Sequence, residues 1–156
     1  METTIDDVLK KLQKICSRQE KCRAEILEYM VRKEVPEYIH DAVIEKLVAG
    51  RFIDEDRYAR AAVRDRFVLN HWGKQKIRHF LETKQISAEQ IERALETIDK
   101  SDYRKMIEKE LHKKAMALSG CEPGVKVIKI MQFASARGYE EEMVREIYPV
   151  TGQGNL

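Results

Sequence analysis

Apolar residues recur every three to four positions along nearly the whole chain, the spacing of helices with one buried face. Ile5, Val8, Leu9, Leu12 and Ile15 predict a first helix from about Thr4 to Ile15. Thr4 or Thr3 can cap it, and Asp6 and Asp7 suit the positive end of the helix dipole. Ser17-Arg-Gln-Glu20 has the spacing of a capping box and predicts the start of a second helix carrying Cys22, Ile26, Tyr29 and Met30. Val35-Pro36 breaks the pattern, and Ile39, Ala42, Val43 and Leu47 mark a third helix that Gly50 ends. A fourth is expected from Asp54 to about Leu69, with Tyr58, Ala62 and Leu69 turned to the core. After the break Asn70–Gly73, a fifth runs to Thr83 with Ile77, Phe80 and Leu81 inward. Ser87-Ala-Glu-Gln90 opens a sixth, and Tyr103, Ile107, Leu111 and Ala115 mark a seventh over about Ser101–Leu118. Ser119–Gly124 reads as a loop, followed by an eighth helix over about Val125–Ala136 with Gly138 as its cap. A ninth covers Glu140 to about Tyr148, and Glu140, Glu141 and Glu142 sit at its start, where the dipole favours acids.

The pattern repeats. Ile26, Tyr29, Met30, Lys33 and Val35 align with Ile77, Phe80, Leu81, Lys84 and Ile86, 51 residues later. Both align with Ile130, Phe133, Ala134, Arg137 and Tyr139, a further 53 residues on. An all-α fold follows: nine helices in three tandem three-helix units, elongated and open to curvature. The expected boundaries are 1–50, 51–99 (the basic unit) and 100–150, with a flexible tail at 151–156. Units of about 50 residues bury little surface alone, so neighbours must pack or share helices.

Composition narrows the class. With 43% hydrophobic and 36% charged residues the chain is too apolar for disorder. Seven Gly and three Pro are few for a sheet protein. There is no apolar run of membrane-spanning length, and Met1–Asp7 is polar and acidic rather than a secretory signal. Cys16, Cys22 and Cys121 are an odd set without ligand spacing, as expected of reduced thiols in the cytoplasm. His40, His71, His79 and His112 are scattered. Nothing resembles a phosphate loop, nucleophile elbow or zinc site, so no enzyme activity, cofactor or metal is expected.

Charge singles out one stretch. The whole chain carries 29 Lys/Arg against 27 Asp/Glu. Between Arg57 and Lys84 there are eight, Arg57, Arg60, Arg64, Arg66, Lys74, Lys76, Arg78 and Lys84, against Asp65 and Glu82 alone. At about 100° per residue, Arg57, Arg60 and Arg64 form one narrow stripe. Long cations in this density suit an anionic partner: the phosphates of a nucleic acid, or acidic side chains of a protein. Trp72 is expected to pack between helices, with stacking on an unpaired base as the alternative. Tyr58 and Phe80 stand at core spacing. Gln75 and Arg78 leave open a helix-turn-helix reader of duplex DNA, and a charged scaffold without a ligand is a third reading.

Ile53-Asp-Glu-Asp-Arg-Tyr-Ala-Arg-Ala-Ala-Val-Arg64, Trp72-Gly-Lys-Gln-Lys-Ile-Arg78 and Lys84-x-Ile86 resemble the RecX family of regulatory proteins. Ser17-Arg-Gln-Glu20, Glu25-Ile26 and Lys33 resemble that family's first unit. The likeness spans about residues 16–148. It implies a regulator of the RecA recombinase in DNA repair, recombination and the SOS response. Such a protein associates with RecA filaments on single-stranded DNA and mainly inhibits ATP hydrolysis, strand exchange and co-protease activity. The implied partners are RecA and single-stranded DNA, with double-stranded DNA a further option and no membrane. The chain itself is expected to be a monomer without catalysis. The alternative is a general or helix-turn-helix DNA-binding protein that does not act through RecA. Family members usually carry Gly after the basic residue closing the second helix of a unit. Glu34 and Gln85 stand there in this chain, and Gly138 keeps it.

Overall fold

The periodicity is realised as helix throughout the part of the chain that the structure, a computed structural model, describes: residues 4–149. The expected tail, and Thr3 as an alternative cap, lie outside those residues. Among them, every regular element is helical: α1 (Ile5–Arg18), α2 (Arg23–Arg32), a 3-10 turn (Glu37–Ile39) and α3 (His40–Ala49). Then follow α4 (Glu55–Val68), α5 (Lys74–Thr83), α6 (Ala88–Leu95), α7 (Lys100–Ala117), α8 (Pro123–Arg137) and α9 (Glu141–Ile147). The main packing is within successive triplets, α1–α3, α4–α6 and α7–α9.

Local chemistry sets most starts. Thr4, Asp54, Ser87 and Asp99 each accept a backbone N–H three residues on, at the entries of α1, α4, α6 and α7. The second helix starts later than its sequence signal. Ser17 lies inside α1, where its hydroxyl donates to the Lys14 carbonyl at 2.7 Å. A serine satisfied within its own helix need not cap the next. Cys22 caps α2 instead, its N–H donating to Glu25 Oε1 at 3.3 Å. At the eighth helix Pro123 takes the first position, two residues before Val125.

Second helices end alike in all three units. Glu34, Gln85 and Gly138 have φ of 55°, 59° and 84°. The next residue in each case donates its N–H back over five positions: Val35 to Met30, Ile86 to Leu81 and Tyr139 to Ala134, at 2.9, 3.2 and 3.0 Å. This is the Schellman closure, and the repeat holds its left-handed turn even where Gly is missing.

Two cores result. Val8, Leu12, Ile26, Met30, Ile39, Val43, Leu47 and Ile53 fill the first triplet. The second and third triplets share one core that includes Tyr58, Ile77, Leu81, Tyr103, Ile107, Ile130 and Tyr139. Cys22 belongs to this second core and is fully buried, so α2 begins inside its neighbour. One residue expected in the core lies outside it: Leu69, just past the end of α4, is 71% exposed. Phe80 is half-buried and packs against the edge of the shared core.

Second helices also meet end to end. The C-terminal carbonyls of α8 take the N–H groups that open α5: Gly73 donates to Arg137 O at 2.7 Å and Gln75 to Gly138 O at 3.1 Å. At the other junction the Lys84 carbonyl, closing α5, lies 3.9 Å from Cys22 Sγ at the start of α2. Lys84 Nζ stands 3.5 Å from Glu25 in the first turn of α2. Orphan carbonyls meet orphan donors, and the dipoles align head to tail.

Candidate functional site

The eight cations divide by helix geometry and by partner. On α4, Arg57, Arg60 and Arg64 share one side, whereas Arg66 lies about 160° round the helix from Arg64. Arg57 is an anchor between triplets. Its Nε is 2.6 Å from Glu20 Oε1, and its Nη2 donates to the Arg51 carbonyl at 3.0 Å. Arg60 and Arg64 are exposed, and Arg64 Nε lies 3.6 Å from its neighbour Asp65. They edge an open groove of about 610 Å³ with Val63, Phe67 and Ile98 in its lining, which Asp99 and Asp102 also line.

Lys74 and Arg78 are held against their own fold. The Lys74 N–H donates to Tyr103 Oη at 2.9 Å, and its ammonium lies 4.9 Å from the centre of that ring. Arg78 makes a forked contact with Glu92 at 2.7 and 3.3 Å. That hydrogen bond raises the Arg78 pKa and lowers that of Glu92.

The remaining side carries aromatic rings and cations together. Trp72 and Phe80 meet edge to face with centroids 6.3 Å apart. The Arg66 guanidinium lies 3.6 Å from the centre of Phe80 and 5.5 Å from Trp72. Lys76 Nζ stands 4.3 Å from the Trp72 ring, and Lys84 Nζ 5.7 Å from Phe80. The backbone presents this cluster: His71 turns at φ 56°, and the Trp72 N–H donates to Arg66 O at 3.0 Å. Arg66 Nε is buried without a hydrogen-bond partner. Among the described residues neither Arg66 nor Lys76 has a carboxylate within ion-pair distance. Trp72 is half-buried: it packs against the shared core, as expected, and also meets cations at the surface. The sequence signal was present: Lys76, Phe80 and Lys84 follow at four-residue steps on one face of α5, and Arg66 reaches that face from α4.

Where the fold and this face meet known proteins, one family recurs. The family described as RecX, second three-helix domain, matches residues 54–95, the stretch that holds all eight cations. The regulatory protein RecX of Oceanobacillus iheyensis is 25% identical over 120 residues. The second triplet thus matches the RecX family, and the chain resembles RecX proteins in sequence. That alignment covers 77% of this chain and 44% of the relative, so the chain spans less than half of that protein's length. A crystal structure of regulatory protein RecX has the same fold, with a TM-score of 0.85 at 20% identity, covering 92% of this chain and 72% of the other. RecX from Lactobacillus salivarius gives 0.80 at 22% identity, covering 92% and 93%. The described residues hold no His/Cys/Asp/Glu group able to bind a metal. No described helix is long and apolar enough to cross a membrane.

Proposed function

We propose that this RecX-like chain binds RecA filaments on single-stranded DNA and restrains RecA's ATP hydrolysis, strand exchange and co-protease activity. The observation that carries this reading is the RecX likeness in sequence and over 92% of the fold. The chain acts by occupying a surface, as a cytoplasmic monomer without chemistry of its own. An array of helical units joined end to end suits a partner that is itself a repeating filament. Arg60 and Arg64 on one side supply positive charge for acidic side chains of RecA, and Arg66 and Lys76 on another supply it for phosphates. A duplex-reading role is less favoured, because Arg78, the base-reading candidate on α5, is engaged by Glu92.

The test is RecA ATP hydrolysis on single-stranded DNA with the chain titrated in at low and high salt, and the chain alone as control. Inhibition well below one chain per RecA indicates action at filament ends. Inhibition only near stoichiometry indicates coating along the groove. Undiminished hydrolysis by RecA of the same source refutes the proposal.

A further inference from the structure

We infer that Arg66, Trp72, Lys76 and Phe80 form a seat for an unpaired nucleobase, with the adjoining phosphate on Lys76. This deepens the reading above, resting on it for the presence of a single strand, and names the face that touches the strand. It also separates that face from the Arg60–Arg64 side.

The contrast between paired and unpaired cations carries the inference. Arg57, Arg78 and Lys84 each face a carboxylate supplied by another helix or by the segment before it: Glu20, Glu92 and Glu25. Their charges are matched within the fold. Arg66 and Lys76 are held close to rings instead, at 3.6 and 4.3 Å, and no carboxylate neutralises them among the described residues. A guanidinium laid on Phe80 is already flat and oriented, so little side-chain freedom remains to be lost when a planar base covers its outer side. Partly buried Trp72 offers a second π-face beside it. The Lys76 ammonium rests on that ring and can leave it for a phosphate, uncovering indole for the base. A duplex keeps its bases stacked on one another, so only an unpaired base fits this chemistry. The stripe side cannot share the contact, since Arg64 and Arg66 diverge by about 160° around α4.

Trp72 is the chain's single tryptophan, so its emission reports on the seat directly. The experiment titrates the full chain, without RecA, with a single-stranded oligo-dT and with a duplex of equal length, at about 50 and 200 mM salt. The expected results are quenching of emission by the single strand, weaker binding of the duplex, and affinity that falls as salt rises. In fluorescence anisotropy with labelled oligo-dT, Arg66→Ala and Trp72→Ala should each weaken binding by about 5- to 100-fold, the worth of one stacked base. Trp72→Phe and Arg66→Lys should retain part of it, and their helical circular dichroism checks the fold. Arg60→Ala with Arg64→Ala should change it less than about twofold, being far round the helix. Binding without quenching, equal loss in the Arg60/Arg64 variant, or no binding of the strand would each overturn the inference. RecA inhibition that persists in those cases leaves the filament reading standing; its absence removes both.

Discussion

Gly73→Ala should destabilise the chain by about 3–5 kcal/mol, although the backbone at that position is one any residue adopts. Gly73 has φ −79° and ψ 165°. Replacing a glycine there would ordinarily stabilise by about 0.4–1 kcal/mol, by restricting the unfolded chain. The tertiary structure reverses the sign. A Cβ on Gly73 would lie 2.2 Å from the Gly138 carbonyl oxygen, 2.3 Å from its carbon and 2.6 Å from the Tyr139 nitrogen. All three are backbone atoms, with no rotamer to turn aside. Contact at ordinary separation, about 3.5 Å or more between heavy atoms, requires α5 and the end of α8 to part by more than about 1 Å. That movement breaks Gly73 N–H to Arg137 O and Gln75 N–H to Gly138 O, now 2.7 and 3.1 Å. Each buried group left unsatisfied costs about 1–3 kcal/mol. Tyr139, 2% exposed and donating to the His71 carbonyl at 2.7 Å, loses packing in the same step. Urea unfolding followed by Trp72 emission and by circular dichroism measures the effect. A loss below about 1 kcal/mol, or a gain, would show that the two glycines are not in close apposition and refute the end-to-end junction.

Other perturbations probe single features. Gln85→Gly should raise stability by roughly 0.5–1 kcal/mol by relieving a left-handed residue at φ 59°, and a lower urea midpoint would contradict the Schellman reading. Ile77→Ala, at a fully buried position in the core shared by the second and third triplets, should cost about 2–5 kcal/mol in the same assay. Burial pushes the Cys22 thiol up to about 11, so its contribution is complete below the unfolded thiol's pKa. As pH rises from 9 toward 11 the unfolded thiol ionises before the folded one and stability falls. Cys22→Ala should flatten that alkaline decline, and equal slopes would contradict the assignment. In the native fold near neutral pH, a thiol reagent should modify Cys16 and Cys121 well ahead of Cys22, which is fully buried; three equal rates would refute its burial.

Helix positions, the threefold repeat and the concentration of cations between Arg57 and Lys84 were legible from the amino acids alone. Those features depend on interactions within about four residues, such as Asp54 capping Arg57 or Ile77 and Leu81 sharing a face. The left-handed turns at Glu34 and Gln85, where glycine is missing, became visible only in the structure. The Ser17 signal misled because a hydroxyl can bond within its own helix as readily as cap the next one. Tertiary structure alone decided which cations remain available. Glu20 meets Arg57 across 37 residues, and no local spacing distinguishes Arg57 from Arg60. It also placed Arg66 over the Phe80 ring and brought Gly73 against Gly138. Sequence periodicity states which side of a helix is apolar; whether a charge on the other side is neutralised depends on what another part of the chain places beside it.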